Sequence, residues 1–184
     1  MEQDRRKWNQ RYRSRSYPET VSGIVRRFAP AARAGRALDI AAGNGRNALY
    51  LARIGFRVDA VDISDQAVND LASRHPMVRA IRTDLDRYEL PQRSFQLIVN
   101  IHFLKRRLFP QIMEALLPGG VLIFETFVAS DLAESGPTRR DHLLRENELL
   151  HAFLPIGIRY YREKTETTGR GRRRIASLVA RKPF

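Results

Sequence analysis

The chain reads as a single α/β domain built on a doubly wound, mostly parallel sheet. Three stretches predict it. Ala37-Leu38-Asp39-Ile40-Ala41-Ala42-Gly43-Asn44-Gly45 joins a short apolar run to an acid and a glycine turn, and a helical pattern (Ala48, Leu49, Leu51, Ala52) follows. Apolar runs and amphipathic segments then alternate as far as residue 127, as strands joined by crossover helices do. Last, Ile156–Thr167 and Arg172–Ala180 read as two strands joined by the short turn Thr168-Gly169-Arg170-Gly171, an antiparallel hairpin.

The first stretch carries the chemistry. Glycine is required where backbone must approach a ligand, and the orphan N–H groups of the following helix can then bond to that ligand. Gly43-x-Gly45-x-x-Ala48 fits a relaxed dinucleotide fingerprint, with Asp62 about 20 residues on, where a ribose-binding acid sits. Asp39 argues for another ligand, because a carboxylate four residues before Gly43 repels a pyrophosphate. S-adenosylmethionine, which carries an amino group and a sulfonium, tolerates such a lining. Here the chain resembles the class I S-adenosylmethionine-dependent methyltransferases, whose first motif runs acid-x-Gly-x-Gly-x-Gly. Asp39, Gly43 and Gly45 match it; Ala41 stands where the first glycine is usual. The resemblance implies a Rossmann-like seven-stranded sheet in the order 3-2-1-4-5-7-6, with an antiparallel C-terminal strand.

Taken in order, residues 2–15 are polar and basic, with Trp8 and Tyr12 one helical turn apart. Trp8-x-x-Arg11-Tyr12 is similar to the N-terminal signature of the tellurite-resistance-like small-molecule methyltransferases, which implies that residues 1–30 form a helical lid over a core at 31–184. An amphipathic segment follows (Val21, Ile24, Val25, Phe28). Asn47–Ile54 reads as helix stopped by Gly55. Phe56–Val61 reads as a strand ending on Asp62, whose carboxylate can accept two ribose hydroxyls, and Ser64 caps the next helix. Asp59, inside that strand, is expected at the surface. A third strand, Met77–Ile81, leads to Asp84 and Leu85; the resemblance implies that this acid and the Leu85 N–H meet adenine, with Asp86 as the alternative acid. Phe95–Ile101 is the nearly continuous apolar run of a buried central strand. It ends at Asn100 and His102, where the resemblance places acceptor-binding or catalytic groups. The Asn/Asp-Pro-Pro-aromatic loop of enzymes that methylate adenine is missing there.

Leu108–Leu117 reads as a helix halted by Pro118-Gly119-Gly120, which resembles another methyltransferase feature, and Val121–Phe127 as the fifth strand. Glu125 within it must face a cleft or be paired. Residues 128–140 form a polar excursion suited to an acceptor pocket. Asp141 is expected to cap a helix through Leu143, Leu144, Leu149, Leu150 and Phe153; Glu148 within it resembles the family pattern, with a solvent-facing charge as the ordinary reading.

The cofactor expected is S-adenosylmethionine, held by Trp8, Arg11, Tyr12, Asp39, Ala41, Gly43, Gly45, Asn47, Asp62, Ile63, Asp84, Leu85 and Asn100. Acceptor orientation falls to Asn100, His102, Arg106 and Arg139. The four histidines (75, 102, 142, 151) lie at no ligand spacing and cysteine is absent, so no metal site and no thiol chemistry is expected. The partner expected is a small-molecule acceptor. A formal charge of +13 could support nucleic-acid binding, so an RNA methyltransferase or RNA-binding module is the alternative; an NAD-dependent oxidoreductase stands further back. The basic residues are scattered along the chain, which does not favour nucleic acid. With no apolar run near 18 residues and a charged N-terminus, no membrane is expected and the cytoplasm is the default location.

Overall fold

Strand β1 (Arg36–Ile40) is buried on both faces between β2 (Arg57–Asp62) and β4 (Phe95–Ile101), both parallel to it. It is the centre of a computed structural model that describes residues 2–14, 17–131, 133–169 and 171–184. Met1, Arg15, Ser16, Leu132 and Arg170 lie outside the described residues; they fall in the expected N-terminal segment, the 128–140 excursion and the 168–171 turn. With β3 (Val78–Arg82), β5 (Leu116–Val128), β6 (Gly157–Thr168) and β7 (Gly171–Arg181), the sheet takes the order β3-β2-β1-β4-β5-β7-β6. Only β7 runs against its neighbours, antiparallel to both β5 and β6. That is the Rossmann-like order expected, and the hairpin stands where a dinucleotide domain would need another βα unit.

Two apolar layers flank the sheet. One packs Ile40, Ile98, Leu122, Phe124 and Leu178 beneath α5 (Leu108–Ala115) and α6 (Glu148–Ala152). The other packs Ala37, Leu97, Val99 and Ile123 against α2 (Gly23–Phe28) and α3 (Arg46–Arg53). Ile24 and Val25 of α2 are buried in this second layer, whereas α1 (Glu2–Ser14) buries no residue. Helix α4 (Asp65–Ala72) is capped as expected, the Ser64 Oγ accepting the Ala67 N–H at 3.2 Å.

Three expectations are corrected. Asp59 is buried, not at the surface: β2 is an interior strand, and the carboxylate is bridged by Arg36 (2.6 Å) from β1 and Arg79 (2.9 Å) from β3. The helix expected from Leu108 to Leu117 ends at Ala115. The Arg93 and Ser94 N–H groups and Lys182 Nζ take up its last carbonyls, so Leu116 is released to pair with Phe95 and begin β5. No helix starts at Asp141. Arg140–His142 is one 3-10 turn, and Leu144 is extended, its N–H donating to the Phe127 carbonyl and its own carbonyl accepting from Ala129. Helix α6 starts only after Asn147, which is left-handed at φ +58°. The leucine spacing suggested a helix because burial at the end of a sheet can mimic helical periodicity.

Ala41, where the motif usually has glycine, sits at φ +53°. A left-handed alanine costs roughly 1–2 kcal/mol, while glycine loses more backbone entropy on folding. Ala41→Gly is expected to raise stability by about 0.5–1 kcal/mol, read as a rise of a few degrees in Tm.

Candidate functional site

The carboxyl ends of β1, β2 and β4 place three polar side chains around the glycine turn. Asp39, near the end of β1, is buried, and its Oδ2 has no hydrogen-bond partner among the described residues. Burial pushes its carboxyl up to about 7, against a smaller opposing effect of the Ala48 N–H and of Arg46. Asp62 closes β2. Its Oδ2 accepts the Gly43 N–H and its Oδ1 the Ser64 N–H, each at 2.9 Å, so one carboxylate fastens the turn to the second strand. Burial raises its pKa as well. Each oxygen keeps a further lone pair, enough for the two hydroxyls of a ribose. Asn100 is buried at the end of β4 and its Nδ2 donates to the Phe103 carbonyl at 2.8 Å, which shapes the loop beyond.

The turn itself is left-handed at Gly43 (φ +57°) and Gly45 (φ +75°). A Cβ on Gly45 would meet Leu71 Cδ1 at 2.3 Å, and one on Gly43 would meet the Tyr12 hydroxyl at 2.5 Å. Gly45 therefore serves packing, and Gly43 lies under an aromatic side chain from α1. Tyr12 is part of a ladder, 6.1 Å from Trp8 and 4.8 Å from Tyr17, with the Arg11 guanidinium 5.0 Å from the Trp8 ring. Burial beside the carboxylates of Asp62 and Asp39 drives the Tyr12 pKa up, so the phenol stays protonated. The helix is fastened mainly by polar contacts: Arg5 to Asp65 at 2.7 Å, and the Ser64 hydroxyl to Asn9 Oδ1 at 2.7 Å.

Asn47 does not face the turn with its carbonyl oxygen. Oδ1 accepts the Ser22 N–H at 3.0 Å and ties α2 to α3. Ile63 and Asp84 share a cavity of about 560 Å³ with Glu2 and Arg5 of α1, next to the Asp62 end of the crevice. Asp84 accepts the Asp86 N–H, which holds its pKa down. Leu85 is buried, and its carbonyl is gripped by Arg107 at 2.9 and 3.2 Å.

On the other side, His102 follows β4 in a left-handed conformation (φ +60°), a strained state for a side chain of this size. Its ring stacks on Phe127 of β5 at 4.9 Å, and its Nε2 is shielded and unpartnered among the described residues, 3.9 Å from Glu125 Oε1. Burial first, then the cations Arg173 and Arg46, bring its pKa down to about 4, so the imidazole is neutral at pH 7. Glu125 faces the same cleft and accepts the Ser177 hydroxyl at 2.7 Å, and burial raises its pKa. Arg106 is committed elsewhere, to Glu148 (2.9 Å from Nη2) and to the carbonyls of Asp141 and Leu143; Glu148 is thus paired instead of solvent-facing. Arg139 is exposed and pairs with Asp141 at 3.1 Å. Neither guanidinium joins the His102 cluster.

Arg46 was missed in the sequence. It opens α3, is half-buried, and lies within the fields of Asp39, Glu125 and Tyr12. A cation at the first helical position just after a glycine turn was the available signal. Among the described residues no cluster of His, Asp and Glu is arranged to hold a metal, and no helix is long and apolar enough to cross a membrane.

Residues 37–120 match the family model described as "Methyltransferase domain". No curated protein matches the chain in sequence. Among solved structures, the chain superposes on TehB from Haemophilus influenzae with a TM-score of 0.76, at 20% identity over 97% of this chain and 66% of that one. It also superposes on a SAM-dependent methyltransferase from Methanosarcina mazei (TM-score 0.69, 20% identity, 90% of this chain, 99% of that one). A third is Haemonchus contortus phosphoethanolamine N-methyltransferase 2, solved with S-adenosyl-L-methionine (0.69, 17%, 88% and 51%). The chain spans 66% of the length of TehB and about half that of the nematode enzyme. At these identities the likeness establishes the fold, and the family model matches a little under half of the chain. The stretch that matches the methyltransferase-domain model, residues 37–120, is the one that holds the glycine turn and the acids at 39, 62 and 84.

Proposed function

We propose that the protein transfers a methyl group from S-adenosylmethionine to a small-molecule acceptor held at the ends of β4, β5 and β7. The observation that carries this reading is the unpartnered, buried Oδ2 of Asp39 beside the left-handed glycine turn. A lone carboxylate oxygen in a dry crevice asks for a donor, and the cofactor's ammonium is one. Arg46, on the same side, suits the methionine carboxylate. Asp62 has lone pairs for the ribose, and Asp84 and Ile63 border a cavity of a size for adenine. The residues present therefore fit the group.

S-adenosylmethionine supplies a methyl on a sulfonium, and the leaving group departs neutral. The chain has to align the acceptor's lone pair with that methyl and keep water away, which in well-oriented systems lowers the barrier by roughly 7–11 kcal/mol. Trp8, Arg11 and Tyr12 of α1 close the crevice over the glycine turn, so α1 supplies the cover, while α2 packs into the core with the rest of the chain. Asn100 fixes the loop that carries His102, and the His102–Phe127 stack walls the acceptor side.

Calorimetry with S-adenosylhomocysteine tests the reading. Binding with a 1:1 stoichiometry and a micromolar Kd is expected, together with competition by S-adenosylmethionine; NADH should give no heat and no change in fluorescence. Absence of nucleoside binding would end the proposal.

A further inference from the structure

Beyond His102 the sheet carries a group of charges that cofactor binding does not use. Register places Glu166 of β6 opposite Arg173 of β7, with Lys164 two residues before it on the same face. Arg173 reaches Glu166 Oε2 at 3.1 Å and Lys164 reaches Oε1 at 2.6 Å, so two cations share one carboxylate. Both Arg173 nitrogens that bond, Nε and Nη2, go to that single oxygen, and among the described residues nothing accepts from Nη1. The Arg173 guanidinium also sits 5.7 Å from the centre of the Phe127 ring, the ring on which His102 stacks. Side chains here are only about a quarter to a third exposed, so water screens them incompletely. Glu125, the other carboxylate nearby, is engaged by the Ser177 hydroxyl at 2.7 Å, and burial raises its pKa. Lys164 and Arg173 thus carry one positive charge more than the Glu166 carboxylate they share can balance.

Resting on the methyltransferase reading, we propose that the acceptor is a small anion whose charged group lies on Lys164 and Arg173, with the atom to be methylated turned toward His102. A half-buried cation in excess favours an anionic ligand, and a guanidinium with an unused N–H suits a carboxylate or an oxyanion. The chemistry is consistent with it. The acceptor's lone pair forms the bond to the methyl carbon as the carbon–sulfur bond breaks, and that electron pair stays on sulfur. In a carboxylate or oxyanion the charge is shared by the oxygen held on the cations and the oxygen turned toward His102, so the attacking atom carries no proton, none has to leave, and a weakly basic His102 is no obstacle.

The experiment is calorimetry on the full chain saturated with S-adenosylhomocysteine, titrated with benzoate, with neutral benzyl alcohol of matched shape, and with inorganic phosphate. At least one anion should bind at least tenfold more tightly than benzyl alcohol. Lys164→Gln and Arg173→Gln should each weaken it about fivefold or more, with S-adenosylhomocysteine affinity unchanged within twofold. Benzoate and phosphate distinguish an organic acid from an inorganic oxyanion. If neither anion binds, if benzyl alcohol binds as well, or if both variants retain the anion, the inference falls. If S-adenosylhomocysteine itself does not bind, the methyltransferase reading fails instead, and the same titrations on the bare protein still decide whether the cation pair is an anion site. Lys164→Gln, which leaves the Arg173–Phe127 contact in place, keeps the test decisive should Arg173→Gln fold poorly.

Discussion

Asp62→Ala is expected to cost the protein both stability and cofactor. The carboxylate accepts the N–H groups of Gly43 and Ser64, and alanine leaves both buried donors without an acceptor. An unsatisfied buried donor costs about 1–3 kcal/mol, so the variant should lose roughly 2–4 kcal/mol in urea unfolding. Loss of a charge-assisted bond to ribose removes a further 1.5–3 kcal/mol or so of binding, about 10- to 150-fold in the Kd of S-adenosylhomocysteine. Asp62→Asn separates the two effects, since its one remaining oxygen can keep one backbone bond but carries no charge. A folded Asp62→Ala protein with wild-type affinity would remove this residue from the ribose role and leave it only the task of tying down the turn.

Asp39→Asn should separate stability from binding in the opposite way. In the ligand-free protein burial raises the Asp39 carboxyl from 3.8 to about 7. The folded state then binds the proton more tightly than the unfolded one. Stability from this group is fully present below about pH 4 and is lost as pH rises through about 7. A rise of that size is linked to roughly 4 kcal/mol. Asparagine, which cannot ionise, should therefore make the protein more stable than wild type at pH 8 by up to about that amount, and hardly at all at pH 4. Binding should move the other way. A cationic ammonium beside Oδ2 favours the carboxylate, so cofactor binding to wild type at pH 6 should release close to one proton. Calorimetry in buffers of different ionisation enthalpy reads this directly. The variant should release none and bind at least tenfold more weakly. A wild-type binding enthalpy that does not depend on the buffer would show that Asp39 does not meet the cofactor's cation.

Legibility in the sequence followed the distance between the residues that had to meet. The strands up to β5 and the glycine turn were readable because their signals lie within about ten residues: an apolar run, an acid, two glycines, a helical stripe. Asp62 was readable at longer range because its strand also ends in an acid followed by a capping serine. The burial of Asp59 was not, because the sequence could not say that Arg36 and Arg79 flank it across two strand pairings. The late start of the helix expected at 141–153 has the same origin, since only contact with the Phe127 carbonyl draws Leu144 into an extended bridge and leaves the helix to begin at Glu148.

By itself, then, the sequence determined the parallel half of the sheet, the C-terminal hairpin and the acids at the ends of the strands. Backbone geometry and strand periodicity dictate those from neighbouring residues alone. Tertiary structure decided the surroundings of His102: the stacking of its ring on Phe127, the sharing of Glu166 between Lys164 and Arg173, and the diversion of Arg106 to Glu148. The His102–Phe127 and Arg106–Glu148 meetings span 25 and 42 positions, and Arg173 reaches the Phe127 ring only because β7 pairs antiparallel with β5, a pairing between strands far apart in the chain that no local pattern encodes.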